Sequence, residues 1–385
     1  MEQAKRQYGK GSIFQIDDDK WGARIFLGKK PDGSPNVKQF SGKSEAIVKK
    51  KLRDFKKSQD FSEQRIPSKD TVKSYFSNWM RQYQFHRLKP SSYDRLESTV
   101  SNHIYPHIGG IKLDRVSRDR IQALINQLYQ KEGLSYSSVK KVYVALNACY
   151  THALSEDAVT KNPCIGIALP SPKERTKEIK PMTEEEIERL KSEIAKTTPY
   201  GKQLYPYGHA FLLILNTGLR MGEALSLKWE DIDFENKSIT ITKNNILTKK
   251  RDENGNCLGG YELQTQGSTK TANGTRVVPI NRSAEEALYV LKQNNTTPNV
   301  IVNTRNRPIL PSNFERSFQT ILKNAHIEPY GIHALRHTFA SMLFSKGVDV
   351  KIVSKLLGHS SVKITYDTYV HLFEKDINRV TEVLD

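Results

Sequence analysis

A helical motif near the C-terminal end, GIHALRHTFASML, places a permanent cation between two titratable rings. The motif covers residues 331–343, and its charged or titratable members are His333, Arg336 and His337. Residues three apart lie on the same face of a helix, so His333 and Arg336 are predicted to project in the same direction. Arginine stays protonated, whereas histidine titrates near neutral pH. The pair is therefore suited to hold an anion and to move protons beside it.

A second arginine follows a break in the apolar segment AFLLILNTGLRMGEALSLKWEDI, which covers 210–232. The break is predicted at Thr217-Gly218, and Arg220 lies where the chain turns into the next helix, a position that can point a guanidinium into a cleft. Glu223, one helical turn later, is spaced to orient that guanidinium. A surface Arg–Glu pair gives the same pattern, so this segment alone is a weak signal.

A third segment, LGHSSVKITYDTYVHL at 357–372, adds His359 and two tyrosines, Tyr366 and Tyr369. Two arginines can clamp the non-bridging oxygens of one phosphodiester. Charge grows on those oxygens as a pentacoordinate phosphorane forms, and fixed cations stabilise it without a metal. A tyrosine hydroxyl can serve as the nucleophile, while histidine and lysine carry the protons. The three segments together predict attack on a phosphodiester.

The motifs TGLRMGE, HALRH and LGH, with a downstream tyrosine, resemble the tyrosine recombinase (phage integrase) family. The three-part layout resembles the integrases of Gram-positive conjugative transposons, over essentially the whole chain and most sharply over 210–372. The resemblance implies an enzyme that cuts and rejoins DNA through a 3′-phosphotyrosine, integrating and excising a mobile element without metal or ATP. It also implies the catalytic set Arg220, Lys270, His333, Arg336, His359 and Tyr369, with Glu223 bracing the first arginine.

Two tyrosines compete for the role of nucleophile. In the family, the tyrosine follows the histidine of LGH by about nine or ten residues, usually in a TxxxY context. Tyr369 is ten residues after His359 and follows Thr365 in that spacing, whereas Tyr366 is only seven after it. Tyr369 is therefore the predicted nucleophile, and Tyr366 is assigned to packing.

The lysine is expected on a β-hairpin, where it would protonate the leaving 5′ hydroxyl. Lys270 lies beside Asn273-Gly274, a dipeptide typical of type I′ turns, and Arg276 lies across that turn. The preceding segment 244–268 exceeds a minimal hairpin, and it is either a DNA-contacting extension or a tolerated insertion. The alternative lysines of the preceding strands are Lys243, Lys249 and Lys250.

A zinc site is a further reading of the histidines, because His337 follows His333 by four residues and His359 lies downstream. However, HALRH lacks the glutamate of HExxH, and the charge of Arg336 would repel a metal cation. No metal and no cofactor is therefore predicted. His337 is assigned to supporting the site or to helix packing.

The whole composition favours a polyanionic partner. The 385 residues include 60 Lys and Arg against 42 Asp and Glu, a formal net charge of +18, although a basic surface can also serve solubility. Three scattered cysteines form no CxxC pair, and the chain has neither an apolar signal region nor an apolar run long enough to span a bilayer. These features predict a soluble protein of the bacterial cytoplasm, associated with the nucleoid.

The order of patterns predicts a multidomain chain, mainly α with small β-sheets. Residues 1–65 read as a three-stranded sheet plus a helix that binds arm-type DNA. Residues 70–165 read as an all-α bundle that binds core DNA, because apolar residues recur at helical spacing. Residues 180–385 read as a mixed α+β catalytic domain with a C-terminal tail, opened by the capping box of Thr183 and Glu186.

The expected partners are double-stranded DNA at core crossover and arm sites, and three further copies in a tetramer on two duplexes. An excision factor that sets direction is also expected, and no membrane. Two other functions stay open: a type IB topoisomerase-like relaxing enzyme, and a non-catalytic DNA-binding regulator on the same scaffold. The arm-binding-like segment argues against the first, and the complete set of six residues argues against the second.

Overall fold

The computed structural model describes residues 11–17, 20–29, 34–58, 70–171, 180–267, 275–293 and 295–374. These residues group into two compact units. One unit runs up to Trp79 and resumes from Thr99 to Pro170, and the other joins Met80–Ser98 to the chain from Ser171 onward. Mainly helical structure with small antiparallel sheets confirms the predicted fold class.

The described chain begins with a three-stranded antiparallel sheet in the order β1-β2-β3, followed by one helix. Ala23 and Ile25 alternate along the central strand with fully buried side chains, and they pack against Val48 and Leu52 of the helix. A period-2 apolar face thus meets a helical apolar face, as the sequence predicts. The elements are β1 Gly11–Asp17, β2 Lys20–Lys29, β3 Pro35–Gly42 and α1 Glu45–Ser58.

The next part of the chain is helical. Ser117 and Ser135 cap two of these helices, and their side chains accept hydrogen bonds from the backbone N–H groups of Arg120 and Ser138. The helices are α2 Val72–Trp79, α3 Pro90–His103, α4 Tyr105–Ile108, α5 Arg118–Gln130 and α6 Tyr136–Ser155, with a π-helical turn at Met80–Gln84.

The C-terminal part of the chain combines eight described helices with two small sheets, ordered β4-β5-β8 and β6-β7. Its first helix opens at the predicted capping box, where Thr183 and Glu186 exchange hydrogen bonds of 2.8 and 3.2 Å. The elements are α7 Glu184–Ile194, α8 Gly208–Thr217, α9 Met221–Ser226, β4 Ile232–Asp233, β5 Ser238–Ile241, β6 Lys243–Arg251, β7 Cys257–Gly267, β8 Arg276–Pro279, α10 Arg282–Gln293, α11 Pro311–Asn324, α12 His333–Ser345, α13 Val350–Leu357 and α14 Val362–Glu374.

The core of this part is built around α8, a helix that is apolar on nearly every side. Phe211 on α8 lies 4.5 and 4.9 Å from the ring centres of Phe314 and Phe318 on α11. An all-round apolar helix needs protein on all faces, which explains its central position. Within the described residues, no helix combines the length and the apolar character that crossing a membrane requires.

The long hairpin β6–β7 binds residues 80–98 through its tip. Arg251 Nη2 donates to Asp94 Oδ1 at 2.5 Å and to Glu97 Oε2 at 2.8 Å. Its guanidinium also lies 4.6 Å from the ring centre of Tyr93, and its side chain is only 9 % exposed. The extra length of this hairpin therefore supplies a partly buried ion-pair network within the same compact unit.

Candidate active site

The first predicted arginine lies at a sharp turn between α8 and α9. Gly218 ends α8 in the left-handed conformation, with a φ of 65°, and a Cβ there would lie 2.4 Å from the ring of Phe339. Only glycine fits both conditions. Arg220 follows at the start of α9, where its backbone N–H and its Nη1 donate to the Glu223 carboxylate at 2.8 and 2.7 Å. Glu223 therefore orients Arg220, as the spacing predicts.

A third arginine shares the same carboxylate. Arg276 on β8 donates to both oxygens of Glu223, at 3.0 and 2.7 Å, and its Nε donates to the carbonyl of Leu356 at 2.7 Å. Burial acts to raise the pKa of Glu223, but the hydrogen bonds and charges of Arg276 and then Arg220 outweigh it and lower that pKa to about 2. One buried carboxylate thus fixes two guanidinium groups.

Sequence reasoning missed this role of Arg276. Strand β8 alternates in burial, with Arg276 and Val278 buried and Val277 exposed, but its sequence RVVP does not alternate polar and apolar residues. A period of two places the arginine on the inner face of the strand. A charged residue on that face needs a buried counter-charge, which Glu223 provides.

The second predicted arginine, Arg336 on α12, is 2 % exposed. Its Nη1 donates to the carbonyl of Gly218 at 2.7 Å and its Nη2 to the carbonyl of Leu357 at 2.5 Å. Burial, followed by the positive charge of Arg220, lowers the pKa of Arg336, yet an arginine side chain keeps its proton at neutral pH. The guanidinium is therefore a fixed cation held by two helix ends.

The two predicted histidines carry no charge at neutral pH. Burial and the charges of Arg336 and Arg220 lower the pKa of His333, and the same causes lower that of His359 to about 4. His359 Nδ1 lies 2.7 Å from the hydroxyl of Thr365 on α14. A neutral ring adds no positive charge beside the arginines, and its unprotonated nitrogen can accept a proton.

A single cavity of about 660 Å³ brings most of the predicted residues together. Of the alternative lysines, Lys243 lines this cavity, whereas Lys249 pairs with Glu97 at 2.7 Å. Lys270 and the Asn273-Gly274 turn lie outside the described residues. The predicted residues on the cavity wall are Arg220, Glu223, His333, Arg336 and His359.

The predicted nucleophile lies beside this group of residues but is sheltered. Tyr369 is 2 % exposed, its hydroxyl is 2.7 Å from His337 Nδ1, and its ring lies 5.3 Å from that of Phe344. Burial raises the pKa of Tyr369 to about 12, partly opposed by the charge of Arg336. Tyr366 is 52 % exposed, so its assignment to packing is wrong.

His337 has a more specific place than its two predicted alternatives, because it contacts the hydroxyl of Tyr369 directly. Its ring also meets that of His333 edge-to-face, with centres 4.7 Å apart. Across the described ranges, no cluster of three or more His, Cys, Asp or Glu side chains is arranged to hold a metal ion.

Three guanidinium groups around one cavity, two neutral histidines and a tyrosine on the adjacent helix define a tyrosine recombinase. The phage integrase family model matches residues 180–376, and the model of the phage integrase N-terminal SAM-like domain matches 71–129. The chain belongs to the phage integrase family.

Similar proteins agree with this assignment. A tyrosine recombinase XerC-like protein of Caldanaerobacter subterraneus subsp. tengcongensis is 31 % identical, over 94 % of both chains. The ICEBs1 integrase of Bacillus subtilis is 27 % identical, over 77 % of this chain and 78 % of its own. The solved Tn1549 transposon integrase, in complex with a circular intermediate DNA, shares the fold with a TM-score of 0.61 at 21 % identity, over 80 % of this chain and 99 % of that one.

Proposed function

We propose that this recombinase integrates and excises a mobile element, with Tyr369 as the nucleophile and Arg220 and Arg336 as the phosphate clamp. The observation that carries the proposal is the shared frame around Glu223, which fixes two guanidinium groups on the wall that also holds Arg336. The likeness of this chain to an integrase of B. subtilis and to a transposon integrase supports a mobile element as the substrate.

In the cleavage step, the Tyr369 oxygen attacks phosphorus in line with the 5′ oxygen of the next nucleotide. The bond from phosphorus to the tyrosine oxygen forms, and the bond to the 5′ oxygen breaks. Lys270 gives a proton to that leaving oxygen, in the role the family resemblance implies, and the phenol passes its own proton to one of the two cavity histidines, His333 or His359. In the second step, a 5′ hydroxyl of the partner strand attacks the phosphotyrosine and gives its proton to Lys270, and the released Tyr369 oxygen takes its proton back from the histidine.

The electrostatics of the cavity fit this chemistry. Arg220 and Arg336 are permanent charges directed by protein groups before any substrate arrives, so they stabilise the growing negative charge without reorganisation. Each transfer exchanges one phosphodiester for another of similar energy, which is why no ATP is needed. In the DNA-free protein, burial and the neighbouring arginines lower the pKa of His333 and of His359, so both rings are available to accept a proton.

The DNA duplex is proposed to lie across the cavity mouth, where Lys89 and Lys243 add two further cations to the wall. The net charge of +18 supports broad phosphate contact.

The N-terminal sheet is proposed to bind arm sites, because its outer face exposes Phe14 with Arg24 stacked 5.6 Å above the ring. A tetramer follows from arithmetic: two duplexes offer four strands, and each chain supplies one nucleophile. An excision factor is proposed to set direction.

The test is covalent capture on a nicked duplex that carries the core site. Wild-type protein is expected to form an adduct that survives a denaturing gel, and Tyr369→Phe is expected to form none, because it lacks the attacking oxygen. Tyr366→Phe is the matched control: the same atom is removed from the same helix, and the adduct should persist. An adduct in Tyr369→Phe would refute the assignment. Binding without any adduct would indicate a regulator, and adducts without strand exchange a relaxing enzyme.

A further inference from the structure

Helix α14 is tied to the rest of the active site by two matching histidine contacts. His359 Nδ1 lies 2.7 Å from the Thr365 hydroxyl, and His337 Nδ1 lies 2.7 Å from the Tyr369 hydroxyl. Thr365 and Tyr369 are four residues apart, so both hydroxyls project from one face of the helix. That face is buried, since the two residues are 0 % and 2 % exposed.

This position keeps the phenol away from any phosphate. A reacting oxygen must approach phosphorus to within about 3–3.5 Å, which a side chain with 2 % exposure does not allow. The ring of Tyr369 also packs in an apolar cluster with Phe339, Phe344, Val353 and Leu357. The hydroxyl must therefore leave His337 and emerge before the strand can be cut.

We propose that His337 is a positioning residue that keeps Tyr369 sheltered in the DNA-free protein, by accepting the hydrogen bond of its hydroxyl. Cleavage then begins when that contact breaks and α14 presents the hydroxyl to the cavity. The inference rests on the proposed function only in taking Tyr369 as the nucleophile. The burial of Tyr369 against His337 is a property of the DNA-free protein and can be tested without any DNA cleavage.

The surroundings of His337 favour holding the phenol over taking its proton. A protonated His337 would carry a positive charge next to Arg336 and against the ring of His333, in a partly buried site. Burial and these two neighbours lower the pKa of His337 to about 4, so the ring is a weak base. A neutral ring still accepts a hydrogen bond, which is all that the shelter requires.

Nitration of tyrosine by tetranitromethane measures how far the ring of Tyr369 is protected from reagent in the full-length protein without DNA. Trypsin cleaves after Lys363 and Lys375, so one peptide carries both Tyr366 and Tyr369 and supplies its own reference. Tyr366, at 52 % exposure, is expected to react readily, and Tyr369 much more slowly. Mass spectrometry of that peptide gives the ratio of the two rates.

His337→Phe removes the acceptor and keeps an aromatic ring in place. The phenol is then buried without a partner, and its nitration relative to Tyr366 is expected to rise about tenfold, because an unsatisfied buried hydroxyl leaves its site more readily. His337→Asn is the matched control, because its side-chain oxygen takes a place close to that of Nδ1. It is expected to keep the wild-type ratio, which separates the hydrogen bond from ring packing.

Two results would overturn the proposal: an unchanged ratio in His337→Phe, or an equal rise in His337→Asn, which would indicate lost packing. His337→Ala, which demands no extra space, takes the place of His337→Phe if that variant does not fold. Single-turnover adduct formation by His337→Phe should also rise, at unchanged affinity for the duplex. A wild-type protein that forms no adduct but shows the predicted nitration pattern would refute the proposed function and leave the shelter standing.

Discussion

Arg276→Met tests whether a shared carboxylate holds the active site together. The variant keeps much of the side-chain volume but removes two hydrogen bonds to Glu223 and one to the carbonyl of Leu356. Removing one partner of a buried ion pair costs ~3–5 kcal/mol, and Glu223 keeps Arg220, so we expect a loss near the lower end of that range. The active site should lose activity as well, because Arg220 depends on the position of Glu223.

The pKa of Glu223 gives a second route to the same magnitude. Its fall from 4.5 to about 2 on folding corresponds to ~3 kcal/mol of stability at neutral pH, a net value that includes Arg220 and burial as well as Arg276, so it overlaps with the loss above and does not add to it. Because the folded value is the lower one, the contribution is complete above pH 4.5 and disappears as the pH falls toward 2. The difference between wild type and Arg276→Met should therefore shrink by about half at pH 3.

Calorimetry of the full chain measures both effects. A loss of ~3 kcal/mol lowers the melting temperature of a domain of this size by about 6–12 °C. Arg282→Met is the control, since its side chain is 90 % exposed and pairs only with Glu286 four residues on, so its expected cost is below ~0.5 kcal/mol. A shift in Arg276→Met no larger than that of the control, or a difference independent of pH, would refute the reasoning.

Two further substitutions test the turn and the hairpin. Gly358→Ala should destabilise the protein by ~1–2 kcal/mol more than Gly347→Ala: both have a positive φ, but a Cβ at 358 meets the Arg276 side chain at 3.0 Å and one at 347 meets open space. Equal melting temperatures for the two would contradict this. Arg251→Met should raise hydrogen exchange in residues 80–98, because it removes a buried cation from two carboxylates. Lys250→Met, one residue away and exposed, should not; equal exchange in both would contradict the role of the network.

Local sequence rules predicted the elements and where Arg220 and Arg336 lie on them, but not how distant parts of the chain meet. The spacing of His333 and Arg336 and the glycine before Arg220 are local features, so helix periodicity and turn chemistry sufficed. The contact of Arg276 with Glu223 spans 53 residues, and that of His337 with Tyr369 spans 32. Such contacts depend on tertiary packing, which no local pattern encodes. The role of Lys270 stays a prediction.

The arginines are also held by uncharged groups, and this affects how strongly the site can bind an anion. The carbonyls of Gly218, Leu356, Leu357 and Gly358, at the ends of α8 and α13, each accept a hydrogen bond from a guanidinium group. Helix ends leave such carbonyls unpaired, and their dipoles attract cations without cancelling a full unit of charge. With one carboxylate for three arginines, this cluster of side chains keeps a net surplus of two positive charges. The backbone carbonyls thus hold the guanidinium groups in place without neutralising them, and the remaining positive charge is available to attract DNA.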